Sequence, residues 1–378
     1  MSNARAVPAE IIEEGQRMAA ICNACRYCEG YCATFPALER RLSFEEADLN
    51  YLANLCHNCG ACYYSCQYAP PHEFQLNFPK ALARIRGETY KKYAWPGFLA
   101  GLFEKNGVIV SIVTALSLAL FLLAMSYSID PSVMFSAHPD SEGAFYAVLS
   151  HEVMAYTFGV VALFILVAFV IGFMRFWRDI GEDVREFVSP SALGHAVHDA
   201  LRLKYLEGGG DGCTYPDEEF SRVRRTYHHL TFYGFLLCFA ATCVATVYHY
   251  VFGWPAPYPF WSLPVLLGIV GGIGLIIGPV GLLWLKGKRD PALTADSQTG
   301  MDVGFLLLLL LTSSTGLLLL ALRESAAMGI LLAVHLGFVM ALFVTLPYGK
   351  FVHAIYRFAA LVRFHLERRR PMPDLSAE

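Results

Sequence analysis

The chain has 378 residues, 56% of them hydrophobic and 16% charged, with a formal net charge of −3. Soluble domains carry about 25% charged residues, so the composition excludes a wholly soluble protein, and near-neutrality gives nucleic acid no electrostatic footing. Eight of the 11 cysteines lie before residue 67, whereas the long uncharged runs all follow residue 106. This pattern predicts a cysteine-rich head on a membrane domain.

The first residues include Arg5, Glu10, Glu13 and Glu14 and form no apolar run. A secretory leader needs a basic start and an apolar core, so the head is expected to stay in the reducing compartment where it is made. Closely spaced cysteines there read as metal ligands rather than disulfides.

Two runs in the 1–106 head share one spacing: Cys22-x2-Cys25-x2-Cys28-x3-Cys32 and Cys56-x2-Cys59-x2-Cys62-x3-Cys66. This is the two-cluster ferredoxin pattern, in which the fourth cysteine of each run ligates the other cluster. Three thiolates two residues apart can wrap three corners of a cubane within one tight turn. One [4Fe-4S] cluster is therefore assigned to Cys22, Cys25, Cys28 and Cys66, and the other to Cys56, Cys59, Cys62 and Cys32. The proline that usually follows the last cysteine is absent; Ala33 and Gln67 stand there, with Pro36 and Pro70 slightly further on. Structural zinc, the competing assignment, normally uses two C-x2-C pairs rather than two four-cysteine runs. Between the runs, Ser43 followed by Glu45, Glu46 and Asp48 predicts a capped helix, hence a helical ferredoxin domain.

Crossing about 30 Å of hydrocarbon takes roughly 20 apolar residues. Six windows qualify: 107–126, 153–174, 230–252, 264–285, 303–322 and 327–349. Of the 29 lysines and arginines, 28 fall in 1–106, 175–229, 286–302 and 350–378, and only Arg323 falls on the opposite side. By the positive-inside rule both termini, the head and the 175–229 loop are cytoplasmic, with 350–378 a basic tail. The expected fold is thus mainly α: a helical two-cluster ferredoxin domain followed by a six-helix transmembrane bundle (107–349). Gly268, Gly272, Gly274 and Gly278 in the fourth span have the spacing of close helix packing, with no strand before them to suit a nucleotide loop. The run 208–212 reads as a flexible loop, and Cys213, Cys238 and Cys243 as isolated thiols.

Ligand-capable residues within spans are functional suspects. His335 and His353 are 18 residues apart, five helical turns, and so share one face; His228 lies within about 60° of His249, while His229 points almost opposite to it. With the third span starting, and the sixth ending, at the cytoplasmic side, His228 and His353 share the inner level and His249 and His335 the outer one. Two facing helices with two histidines each would hold one or two bis-histidine b haems. Gly234, Gly316 and Gly337 could admit the macrocycle, and His151 is a reserve ligand. His57, His72, His195 and His198 are expected at the surface, although His57 adjoins a cluster ligand.

Three stretches resemble one family. They are 21–28 (ICNACRYC), 55–62 (LCHNCGAC) and 227–234 (YHHLTFYG). The sequence is similar over nearly its whole length to the tricarballylate or citrate utilisation protein B type of membrane electron-transfer protein. The resemblance implies a bacterial inner-membrane protein that reoxidises the flavin of a soluble FAD-containing tricarballylate dehydrogenase and passes the electrons to quinone. The membrane half is also similar to the gamma subunit of respiratory nitrate reductase, which has two b haems. That subunit keeps its other two ligands close together on one helix, unlike His228 and His249, so the haem number stays at one or two.

Clusters, haem and no flavin or nicotinamide motif describe an electron-transfer component rather than a stand-alone catalyst. Two other readings stay open: a quinol-oxidising subunit feeding a cytoplasmic reductase, and a transporter or sensor regulated by an iron–sulfur head. Candidate polar groups for a quinone site are Arg323, Glu324 and 348–350.

Overall fold

The computed structural model describes residues 6–138 and 143–372, and the described chain is mainly helical. Its strands among the described residues are the pair Cys213–Thr214 and Phe220–Ser221, antiparallel. Six helices are long and apolar enough to cross a membrane: Asn106–Tyr127, His151–Asp179, Val223–Phe252, Leu263–Gly287, Asp296–Leu322 and Met328–Tyr348. They follow an N-terminal head, as the hydropathy pattern requires. The third begins seven residues before its apolar window, because the loop ahead of it is already helical at Val223.

Three helices build the head: Ala9–Cys25, Glu46–Leu55 and Phe78–Tyr93. Leu49, Leu52, Leu82 and Ile85 are buried among them, each contributing about 2 kcal/mol by leaving water. The middle helix is capped two residues later than Ser43 suggests. Glu45 and Asp48 make a reciprocal capping box, the Glu45 N–H donating to the Asp48 carboxylate at 3.3 Å. A carboxylate at the positive end of the helix dipole does the work a serine hydroxyl would have done.

The expected basic tail is largely a packed helix, Val352–Glu367. Its Glu367 accepts from Arg41 at 2.5 Å and from the Tyr51 hydroxyl at 3.0 Å, both from the head. Arg363 lies 3.1 Å from Glu367 and joins the same network. The head is further tied to the second span by Asp179, which accepts from Lys92 at 2.7 Å, Tyr93 at 2.5 Å and Asn50 at 2.9 Å. At the same end of the bundle Asp302 sits between Lys286 and Lys350, each at 2.7 Å, and so joins the fourth, fifth and sixth spans.

A glycine seam brings the third and fourth spans together. A Cβ on Gly234 would stand 2.8 Å from the Gly271 carbonyl oxygen, and one on Gly274 2.9 Å from that of Leu230. Gly278 meets Thr231 and the Tyr227 carbonyl in the same way, whereas Gly268 meets nothing and Gly272 faces Leu317 of the fifth span. Gly234 is therefore spent on helix packing, and Gly337 likewise lies against Leu118 of the first span; only Gly316 touches a histidine, His335.

Candidate functional site

The two cysteine runs lie in tight loops at helix ends and line two neighbouring cavities. Cys22, Cys25, Cys28 and Cys66 line the first, of about 280 Å³, and Cys32, Cys56 and Cys59 the tighter second; Cys62, Phe35 and Phe78 border both. The fourth cysteine of each run thus stands with the leading cysteines of the other. Among the described residues no three donors close on one point as a single ion demands. The thiols instead surround a space, and as a donor set they fit an iron–sulfur cluster, with [4Fe-4S] ligation to thiolates the chemistry they would support.

The pockets differ in depth and charge. Tyr27, beside the first, is 70% exposed, whereas Cys56 and Cys59 of the second are buried. Burial pushes the thiols of Cys28 and Cys32 up to about 12 and raises Cys22 and Cys62 as well. Cys59 goes the other way: the Cys213 thiol beside it, the Ala61 N–H and the Arg224 charge outweigh burial and lower it. The Cys213 S–H itself donates to the Leu206 carbonyl at 3.2 Å.

Cys213 arrives from the loop between the second and third spans. Its strand lies against the turn after Cys59, and Gly60, at φ +89°, fits only because a Cβ would stand 2.6 Å from the Thr214 carbonyl oxygen. The glycine run before it is not a loose linker: the N–H groups of Gly210 and Gly212 both donate to the Glu207 carbonyl, and Gly209 packs on Tyr31. A run that reads as flexible is used because four of its glycines hold positive φ.

Between the second pocket and the bundle lies the 56–58 backbone. Arg86 and Arg357 both donate to the Cys56 carbonyl, at 2.6 and 2.7 Å, while Arg224 donates to those of His57 and Asn58 at 3.0 and 3.1 Å. His57, expected at the surface, is buried with its Nδ1 unpartnered, and its surroundings hold it neutral, well below the ordinary range. Burial is the first cause, and the nearby Arg357 and Arg224 charges add to it.

On the membrane side the His228 and His353 rings stand 6.3 Å apart, at 82° to one another. His353 opens the C-terminal helix, and its Nδ1 lies 2.5 Å from the Lys350 carbonyl oxygen. A carbonyl only accepts, so Nδ1 carries the proton and Nε2 keeps its lone pair, the tautomer a metal ligand needs. The His228 Nδ1 is buried without a partner. With metal–imidazole bonds of roughly 2.0 Å, this ring spacing leaves room for one iron atom between the two imidazoles, so they fit as a ligand pair. His229 points elsewhere, toward the Leu201 and Arg202 carbonyls.

The other two histidines are not paired around a common space. His249 stacks face to face on His151, with ring centroids 3.6 Å apart and Tyr146 and Tyr250 edge-on. His335 turns to the fifth span, its Nδ1 3.2 Å from the Thr315 hydroxyl and its ring against Gly316. The reason is packing: the seam holds the third span to the fourth, while the sixth lies against the first and fifth.

The arginines escaped the motif search, yet a signal existed. Arg224 precedes His228 by four residues, and Arg357 follows His353 by four. Each arginine therefore sits one helical turn from its histidine, on the same face.

Six apolar helices behind a head with eight cysteines in two pockets define a class, a multi-span membrane protein with a ferredoxin-like head. The model of the "Citrate utilization protein B Fer4-like domain" matches residues 15–92, and that of "Citrate utilization protein B" matches residues 105–374. The Escherichia coli protein "Citrate utilization protein B" is 54% identical over 358 residues, covering 94% of this chain and 93% of its own. The chain belongs to the citrate utilization protein B family. No solved structure matches it.

Proposed function

We propose that this protein carries electrons from the reduced flavin of a soluble FAD-containing dehydrogenase to membrane quinone in citrate or tricarballylate utilisation, most specifically for tricarballylate dehydrogenase. The observation that carries the reading is the order of the donor sets. An exposed cysteine pocket is followed by a buried one, then by the 56–58 backbone, and then by the His228–His353 pair at the bundle. When bound, iron–sulfur clusters and a b haem accept and release single electrons, and quinone is the acceptor soluble in lipid.

Each part of the chain has a physical task in this scheme. The head binds the dehydrogenase from the cytoplasm, at the inner membrane of a bacterium. The phenylalanines at 35 and 78 separate the two pockets, and the Lys350 carbonyl orients His353 toward His228. One haem, at the inner pair, matches the geometry; His249 and His335 lack a shared space for a second.

The test is a membrane preparation with and without this protein, supplied with the dehydrogenase and its substrate. With the protein present, quinone should be reduced at the expense of substrate. Without it the flavin should be reduced and stay so. Quinone reduction at an unchanged rate without this protein overturns the reading, and quinol-driven reduction of the flavoprotein as the sole activity would reverse its direction.

A further inference from the structure

Arg86, Arg224 and Arg357 converge on one short backbone segment, and Arg289 and Arg224 both lie over the Tyr215 ring, at 5.2 and 4.5 Å. Among the described residues, these four guanidiniums donate to backbone carbonyls and to no carboxylate. Asp302, the carboxylate whose field reaches Arg289, is already held by Lys286 and Lys350. Gathering several cations in a part-buried space without an anion is costly, since each loses hydration and repels the others. A cysteine-ligated iron–sulfur cluster is itself an anion and becomes more negative on reduction. Arg86 and Arg357 hold the Cys56 carbonyl, and Arg224 the next two, on the stretch that lines the second pocket.

The first pocket is lined by cysteines, tyrosines, phenylalanines, a serine, a glutamine and a leucine, and it opens beside exposed Tyr27. The arginine next to it, Arg26, is exposed and donates to the Asn23 carbonyl at 3.1 Å, where water screens its charge. Cluster potentials respond to net charge, hydrogen bonds to sulfur and exposure. The second pocket has three guanidiniums held against its 56–58 backbone; the first has one exposed guanidinium beside it.

We propose that Arg86, Arg224 and Arg357 make the cluster in the second pocket the more easily reduced of the two, so that an electron entering at the exposed pocket settles beside His228 and His353. The inference rests on the electron-carrier reading above and deepens it. The transfer moves one electron from the first group to the second; no bond forms or breaks and no proton is required.

The test is a potentiometric titration of the full-length protein in detergent, followed by the electron-spin signals of the clusters. Cys66→Ser and Cys32→Ser assign the two signals. In the unmodified protein the second cluster should reduce at the higher potential. Arg357→Gln and Arg224→Gln should each lower that midpoint by at least a tenfold change in the electron's preference, 59 mV for one electron, and leave the first in place. Arg357→Lys, which keeps the charge, should retain most of the difference. Should the glutamine variants fail to fold, the order of the two midpoints in the unmodified protein still decides. A higher potential for the first cluster in the unmodified protein, or midpoints that move together, overturns the proposal while leaving electron transfer intact. An unmodified protein with no cluster signals overturns the electron-carrier reading, and this inference falls with it.

Discussion

The imidazole of His228 on the third span faces that of His353 on the C-terminal helix, their centroids 6.3 Å apart and their planes nearly perpendicular. His229, the next residue along, points to the carbonyls of the preceding loop. His228→Ala and His353→Ala should therefore each abolish a b-type absorbance in the reduced-minus-oxidised spectrum, and His229→Ala should keep it. Loss of the signal in His229→Ala, with retention in His228→Ala, would show that the assigned helix face is wrong.

The division of the cysteines predicts a crossed phenotype. Cys32 lies in sequence with the first run but in space with Cys56 and Cys59. Cys32→Ser should perturb the cluster whose other ligands come from the second run, and Cys66→Ser the other. Electron-spin spectra check this against Cys25→Ser and Cys59→Ser: Cys32→Ser should match Cys59→Ser, and a match to Cys25→Ser would mean that the runs are not crossed.

Anchoring of the C-terminal helix depends on Glu367, which is buried and accepts from Arg41 and Tyr51. Glu367→Ala leaves Asp48, at 2.6 Å, as the carboxylate partner of Arg41 and should destabilise the head by about 2 kcal/mol. Tyr51→Phe removes one hydrogen bond and should cost about 1 kcal/mol. Thermal melts of the detergent-solubilised protein, read through the head's visible absorbance, should rank the two in that order.

Acid should loosen the same region. His365 is buried beside Asp199, and burial holds its folded pKa below the ordinary value despite that carboxylate, with His195 and Arg368 adding repulsion. The unfolded chain then binds more protons than the folded one below about pH 6.5, so stability present above that pH is lost as pH falls toward the folded pKa. His365→Gln should flatten this part of the melting-temperature profile, below about pH 6.5. An unchanged slope would remove His365 as its source.

Much of this was readable from local order. The repeat of C-x2-C-x2-C-x3-C named the donor set, and uncharged runs of helical length named the spans, because both signals depend only on spacing along the chain. His57 shows where spacing stops helping: a polar residue in a soluble head is ordinarily exposed, and only the three arginines converging around it make it interior. Cys213 looked isolated because its strand docks, through Thr214, on the Cys59 carbonyl of the head, which is far away along the chain. Gly234 looked available to a macrocycle, but the fourth span already occupied that face.

Composition and periodicity thus decided the class of the molecule, a cysteine head on six apolar helices, and which residues could ligate. Both follow from short-range geometry and from the cost of placing charge in hydrocarbon. Which histidines meet, and which cations gather behind the second pocket, was decided only when helices far apart in sequence packed. Helical phase gives the direction a side chain takes from its own axis; it does not say which helix lies opposite. Here the third span's glycine seam and the buried Arg41–Glu367 contact made that choice, and they set His228 against His353 while leaving His249 on His151.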